Sequence, residues 1–317
     1  MSSDLIKQLL TAIETDELTL PALPEVATRI RSLVNDPEIS AKEVISAISG
    51  DVTISAHLVK VANSAAYSDK PKVESVAQAI SRLGYMQVHN IVLQLTMSKL
   101  VQAQNPVINA YIGQLWSRNR ELAAVCHVLA RTRTRLNPDQ AMFAGLIHEI
   151  GKLPLCQFID RLHTPITLEQ LDEVSNSLGA IAGTKLLRAW NFPDAMVQVV
   201  SARTRGDAHE ISYRDLVLAA KCLCDGQTEC TNLENDALVL LNLTPDDRLG
   251  FESRHAGLLN HAKVLLGAEP DEEAPTSSPI QVEVRPEPQN DEPEQRNASP
   301  TQRPGLLTRL LKLLGLA

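Results

Sequence analysis

Apolar residues recur three and four positions apart along most of the chain, which is the spacing of helices that bury one face. The first such stripe comprises Leu5, Ile6, Leu9, Leu10 and Ile13. Comparable stripes predict helices over roughly 53–63, 86–102, 108–133, 138–150, 177–190, 193–203, 212–225, 232–242 and 254–266. No segment keeps the period of two that marks a strand, so the predicted fold class is all-α.

Residues at the ends of these segments support the helical prediction. Ser40 and Glu43 have the spacing of a capping box, and Gly50 follows as a stop signal. Pro24 is suited to the first turn of a helix, and Gly84 closes a short helix that precedes the long one at 86–102.

The composition narrows the kind of core and the kind of partner. Of the 317 residues, 44% are hydrophobic but only 3% are aromatic, so the core must be aliphatic. Few aromatic rings argue against a surface that stacks on bases. A net charge of −8 argues against a surface that follows phosphates, so we expect no nucleic-acid partner.

The acidic residues are concentrated near the C-terminus. Residues 268–303 hold nine acidic residues, three basic ones and seven of the 18 prolines, a composition typical of a disordered linker. The predicted organisation has five parts, namely an N-terminal helix (1–19), a main domain (20–214), a helical extension that packs on it (215–266), the acidic linker (267–303) and an amphipathic helix (304–317).

The last segment, 304–317, is rich in leucine and is a candidate partner-binding helix. Its apolar face comprises Leu306, Leu307, Leu310, Leu311, Leu313 and Leu314, with Leu316. A helix of about a dozen residues is marginal alone in water, so these leucines need a surface. We rank a protein partner first, the body of the same chain second and a membrane surface third, because the segment has two cations and no Trp.

Other features of the sequence favour a cytoplasmic protein. No run of 18 apolar residues is present to span a membrane, and residues 1–7 lack the apolar core of a secretory signal. Five scattered cysteines suit a reducing compartment, and we interpret Cys222, Cys224 and Cys230 as small thiols rather than metal ligands.

Only one pair of residues hints at chemistry by its spacing alone. His148 and Glu149 are adjacent, as in helical zinc sites, but such a site needs a second His at the position that Lys152 occupies. A lone His-Glu pair is more typical of a structural helix end than of a ligand pair. The remaining histidines have no ligand partner at suitable spacing, so we predict no metal and no cofactor.

A set of segments in register carries a family resemblance. They read LPALPEV (20–26), DVTISAHLVKVANSAAY (51–67), VAQAISRLG (76–84), LW (115–116), AGLIHEIGK (144–152) and WNFP (190–193). In this order and spacing the chain resembles the HDOD domain, a bacterial signalling module related to the HD metal-dependent phosphohydrolases. The resemblance implies two packed helical lobes, the first with Asn63 and Ser64 and the second HD-like.

The resemblance also implies where metal ligands of the HD relatives would lie. The first His corresponds to Arg118, and the His-Asp pair corresponds to His148 and Glu149. Further ligand positions hold Gly179, Arg203 and, less surely aligned, Lys221. Because a hydrolytic centre needs several ligands and an open position, this vestigial set implies that the protein is not an enzyme.

Three interpretations of the basic substitutions follow from this alignment. Arg118, Arg203 or Lys221 replaces the metal as the partner of Glu149, or these cations bind an anion such as a nucleotide phosphate, or they are scattered surface charges. The predicted function is that of a non-catalytic signalling protein that acts through contacts with unidentified proteins. The alternatives are a residual phosphohydrolase that uses His148 and Glu149, and a nucleotide-binding sensor.

Overall fold

A computed structural model describes residues 2–34, 40–64, 67, 71–201, 210–224 and 230–267. Within these ranges the chain forms sixteen α-helices and no strand, which confirms the all-α prediction. The helices are α1 (Ser2–Glu14), α2 (Glu25–Val34), α3 (Ala41–Ser49), α4 (Val52–Ala62), α5 (Val76–Leu83), α6 (Tyr85–Met97), α7 (Pro106–Arg133), α8 (Pro138–Ile147), α9 (Lys152–Arg161), α10 (Leu168–Ala189), α11 (Asp194–Val200), α12 (Tyr213–Cys224), α13 (Asn232–Leu240), α14 (Pro245–Leu249), α15 (Phe251–Arg254) and α16 (Ala256–Leu265).

The helices form two packed lobes with an aliphatic core. Helices α2 to α6 contact one another in the first lobe, and α7 is the central helix of the second, where it contacts α8, α10, α12 and α16. Every residue of α8 from 141 to 147 is buried. The largest fully buried side chains of the chain are all aliphatic or Met, among them Leu9, Leu58, Leu129 and Met142. The low aromatic content is therefore matched by a core built from Leu, Ile, Val, Ala and Met.

The resemblance placed Asn63 in the first lobe, and there its side chain ties the end of α4 to the segment before α5. The amide donates from Nδ2 to the carbonyl of Val73 and accepts at Oδ1 from the Val73 N–H, both over 2.7 Å. Arg82 donates from Nη1 to the carbonyl of Ala62 over 2.9 Å. These side chains form hydrogen bonds with backbone groups at the end of α4 and in the irregular segment before α5. They therefore fix the position of a segment that has no regular secondary structure.

The two lobes are joined by contacts that are distant in sequence. The indole N–H of Trp190 donates to the carbonyl of Pro21 over 2.9 Å, and α1 packs on α10. On the side of the first lobe, the Asn90 amide on α6 donates to the carbonyl of Asp139 at the start of α8, over 3.1 Å. These contacts fix the start of α8 against the first lobe.

Helix ends confirm part of the sequence prediction and correct another part. Ser40 and Glu43 form the predicted capping box of α3. Helix α10 begins at 168 rather than 177, because Thr167 and Gln170 form a second capping box ahead of the apolar stripe. Helix α9 was not predicted; its proline, Pro154, lies in the first turn, where a missing N–H leaves no helical hydrogen bond unmade. Helix α6 ends at 97, earlier than the predicted 102.

Several predictions concern segments at the edges of the described structure. The acidic linker and the leucine-rich helix at 304–317 lie outside the described residues. The boundary predicted between 214 and 215 falls within α12, whose first residue is Tyr213. Among the described helices none is by itself long and apolar enough to cross a membrane, and only the bent pair 42–49 and 52–62 meets that test jointly, with an angle of 118° between its parts.

Candidate functional site

His148 and Glu149 lie in the tight turn that connects α8 to α9. Helix α8 ends at Ile147, and α9 begins at Lys152. The turn is held close to α7 because Gly145 has no side chain: an added Cβ would lie 2.5 Å from the Cα of Ala123. Two helix backbones thus approach to a distance that no other residue at position 145 permits.

The imidazole of His148 is buried and oriented by the backbone. Its Nδ1 lies 2.7 Å from the Gly145 carbonyl and donates to it, which leaves Nε2 as the unprotonated nitrogen. Burial lowers the pKa of His148 to about 4, aided by the charge of Lys221 and opposed by that of Glu149. The ring is therefore neutral near pH 7, with Nε2 lying 4.0 Å from Oε2 of Glu149.

The carboxylate of Glu149 has a cationic partner one helical turn along the chain. Its Oε1 lies 2.7 Å from Nζ of Lys152, whose side chain is only 10% exposed. That ammonium also lies 5.9 Å from the ring centroid of Tyr111, within cation–π range. Burial alone would raise the pKa of Glu149, but His148, Lys152 and Lys221 together hold it below its ordinary value. The pair is an ionised salt bridge near pH 7.

This contact corrects the hypothesis that Arg118 or Lys221 pairs with Glu149, and it leaves the same hypothesis for Arg203 untested. The cation that bonds to Glu149 is Lys152, at the i, i+3 spacing of neighbours on a helix. Arg118 is exposed on α7, and Lys221 acts on His148 and Glu149 through its charge without forming an ion pair with either of them. Arg203 lies outside the described residues.

Gly179 lies where the backbone of the α8–α9 turn meets that of α10. An added Cβ at Gly151 would lie 2.0 Å from the carbonyl oxygen of Gly179 and 2.3 Å from the backbone nitrogen of Gly183. A Cβ at Gly179 would itself meet Cγ of Lys152 at 3.7 Å. The stem of Lys152 therefore lies in ordinary van der Waals contact with the place where a side chain at position 179 would begin.

These residues do not fit a metal of the HD type. His148 offers one nitrogen, but the carboxylate of Glu149 is already bonded to an ammonium group, and Gly179 has no side chain to offer. With His148 neutral, the charges of Glu149, Lys152 and Lys221 sum to +1, which disfavours a cation there. No catalytic step that depends on a metal follows from this arrangement.

The cysteines correct a separate prediction. Cys222 and Cys230 are joined as a disulfide rather than held as thiols, whereas Cys224 is exposed and takes no part in that bond. Within the described residues, one group of three side chains has metal-ligand spacing, namely Cys222, Cys230 and Glu234. Because two of its sulfur atoms are bonded to each other, they are not the thiolates that a metal requires.

A family model for the HDOD domain matches residues 20–205. The chain belongs to the HDOD domain family. This match confirms the resemblance inferred from the anchor segments, and it includes His148, Glu149, Lys152 and Gly179. It ends before Lys221, whose correspondence with an HD ligand stays a prediction.

Two solved structures share the fold of this chain, and one curated protein is similar to it in sequence. A protein of Shewanella amazonensis with the provisional name of a metal-dependent phosphohydrolase is 27% identical, with a TM-score of 0.70 over 84% of this chain and 99% of that one. An HDOD domain protein of unknown function from Geobacter sulfurreducens is 17% identical, with a TM-score of 0.58 over 82% and 96%. An uncharacterised Treponema pallidum protein is 22% identical over 196 residues, which span 57% of this chain and 37% of that protein.

We expect Gly151→Ala to destabilise the protein strongly, by about 2 kcal/mol or more, because its Cβ meets backbone atoms of α10 that cannot move aside cheaply. Gly113→Ala is the matched control, since its Cβ on α7 meets nothing within 4 Å. That change should stabilise by roughly 0.5–1 kcal/mol through helix propensity. Urea unfolding of both variants measures the difference, and similar values for the two would contradict the close backbone contact.

The salt bridge predicts coupling between Glu149 and Lys152. Lys152→Met should cost about 2 kcal/mol near pH 7.5, because it leaves a largely buried carboxylate without its partner. Adding Glu149→Gln should recover at least half of that loss. Since the native pKa of Glu149 is lowered, the coupling should be present above its ordinary pKa and disappear as the pH falls through the lowered one. A double-mutant cycle in urea at several pH values measures it; additive effects at pH 7.5 would refute the pairing.

Proposed function

We propose that this protein is a cytoplasmic regulatory HDOD protein that works through contacts with other proteins rather than by hydrolysing phosphoesters. The observation that carries the proposal is the 2.7 Å contact between Lys152 and Glu149. This salt bridge gives Glu149, which is the acidic residue among the vestigial ligand positions, the ammonium group of Lys152 as its partner. The fold is thereby supported without a metal.

The packing around this pair supports the same proposal. A hydrolytic centre needs an open coordination position for water. Here the backbone contact of Gly151 with Gly179 and the stem of Lys152 occupy the space beside His148 and Glu149. The site has the character of a structural junction between α8, α9 and α10.

A residual phosphohydrolase is the second candidate, and one observation favours it. Nε2 of His148 is unprotonated near pH 7 and lies on the side of Glu149, as a ligand nitrogen would. The Shewanella protein that is 27% identical also carries a phosphohydrolase name, which belongs to that protein.

Metal content and turnover separate the two candidates. The full-length protein is dialysed against Mn²⁺ or Zn²⁺, analysed for bound metal, and assayed with bis(4-nitrophenyl) phosphate and cyclic dinucleotides. We expect substoichiometric metal and no turnover above the His148→Ala variant. His163→Ala is the control, since His163 is exposed and distant in sequence from the turn. Stoichiometric metal and turnover that are lost in His148→Ala and kept in His163→Ala would overturn the non-catalytic proposal.

We further propose that residues 304–317 bind the protein partner through their leucines. Seven of these 14 residues are Leu, and the two charges among them, Arg309 and Lys312, are both positive. A segment of this composition gains more from an apolar protein groove than from water. Its recruitment would supply the protein contact that a regulatory role requires.

Two variants with the same added charge test this role of the tail. Leu310→Asp places a carboxylate among the leucines, whereas Thr308→Asp adds it among the polar positions. After crosslinking in cells, we expect a discrete crosslinked species with the wild type and Thr308→Asp, and at least about a tenfold loss with Leu310→Asp and with a chain ending at Arg303. Equal yields from all four proteins would remove the tail from the proposal, and association of the wild type with vesicles alone would favour a membrane.

A further inference from the structure

A cleft of about 290 Å³ opens between the two lobes, away from the turn that holds His148. Its walls come from α6, α7, the start of α8 and α16, and its polar and aromatic lining comprises Tyr67, Gln87, His127, Arg131, Asp139 and His261. Its volume is near the lower end of that found for small-molecule sites. Helix α8 has Asp139 in its first turn and His148 directly after its last residue, so these two residues are about 14 Å apart along that helix.

Two polar side chains in the wall of this cleft are buried. Gln87 is 5% exposed, and neither its Nε2 nor its Oε1 has a hydrogen-bond partner among the described residues. His127 is 4% exposed, and its ring lies beside the backbone of Pro138, which acts on it as a hydrogen-bond partner, and 3.9 Å from Oδ1 of Asp139. Buried polar groups are nearly always paired, so the Gln87 amide is a candidate contact for a polar ligand.

The charges of the cleft favour a neutral ligand over an anion. Burial lowers the pKa of His127 to about 4 and also lowers that of His261, so both rings are uncharged near pH 7. Burial raises the pKa of Asp139, which Arg131 opposes. The one cation of this set, Arg131, is exposed at the mouth rather than buried. The interior therefore offers donors, acceptors and one carboxylate, but no buried positive charge.

Aromatic rings form one side of the cleft. The ring of His261 lies 5.9 Å from that of Tyr67 and 6.3 Å from that of His127, centroid to centroid. The Gln87 amide presents a donor beside an acceptor, the pattern that pairs with the edge of a nucleobase. A neutral His127 adds a second donor and acceptor.

We propose that this cleft binds a small planar heterocycle of the nucleobase class, with Gln87 and His127 bonding to its donor–acceptor edge and the rings of Tyr67 and His261 providing apolar surface. Arg131 at the mouth is placed for a phosphate when the base belongs to a nucleotide. The site shares no residue with the turn that holds His148, so it does not depend on whether the protein hydrolyses phosphoesters.

Calorimetric titration of the full-length protein tests the site. The probes are adenine, guanine, hypoxanthine and uracil, each as the free base and as its 5′-monophosphate. We expect saturable one-to-one binding of at least one base, weakened about tenfold or more in Gln87→Leu. Gln157→Leu is the matched control, because its Oε1 is also buried and unbonded among the described residues but Gln157 does not line the cleft.

The source of the base and the folding of the variant are tested separately. If the affinity for the nucleotide exceeds that for the free base and falls to the free-base value in Arg131→Gln, the ligand is a nucleotide. If the wild type binds the nucleotide and the free base with equal affinity, the ligand is a free base. Gln87→Leu removes unpaired buried atoms, so without ligand it should unfold at no lower urea concentration than the wild type. Failure of every probe to bind, or binding that Gln87→Leu leaves unchanged, would overturn the proposal.

Discussion

The contact between the backbone at Gly151 and that of α10 at Gly179 and Gly183 is the constraint on which the second lobe depends. An atom the size of a methyl group at position 151 would lie 2.0 Å from a carbonyl oxygen. Because this approach is possible only without side chains, it determines where the turn between α8 and α9 lies relative to α10. It thereby determines the direction of α9 and the position of Lys152 at its start.

From that position the side chain of Lys152 packs against three neighbouring groups. Its stem lies against Gly179, and its ammonium group lies between the Glu149 carboxylate and the Tyr111 ring. A buried cation is costly unless it is paired, and here the pairing group precedes it by three residues in the same turn. Packing and electrostatics thus support each other: the glycines make room for the stem, and the carboxylate stabilises the charge that the stem carries.

Much of the fold follows from local patterns in the sequence. Helical periodicity and the capping box of Ser40 and Glu43 predict elements that the structure confirms, because both depend on neighbouring residues. The start of α10 differs from the sequence prediction because its first turns, in 168–176, combine the capping box at Thr167 with only two buried apolar residues, Leu171 and Val174, among polar ones. The anchor segments led correctly to the HDOD family, since their order and spacing reflect the arrangement of both lobes.

The candidate sites were harder to predict than the fold. The i, i+3 spacing of Lys152 makes it a candidate partner of Glu149, but in the sequence this lysine stands out only as the residue in place of a second His. Gln87 and His127 come from different helices, and only the packed structure shows that they line one cleft. Hydrophobic periodicity within a sequence does not predict which side chains from distant helices come into contact.

The contact of Lys152 with Gly179 has a consequence for substitutions at these two positions. A side chain at position 179 would place its Cβ in ordinary van der Waals contact with the Lys152 stem, whereas loss of Lys152 would leave Glu149 without its partner. Of the two positions, the lysine is therefore the one whose replacement disturbs the turn more, because it removes the counter-charge of a largely buried carboxylate.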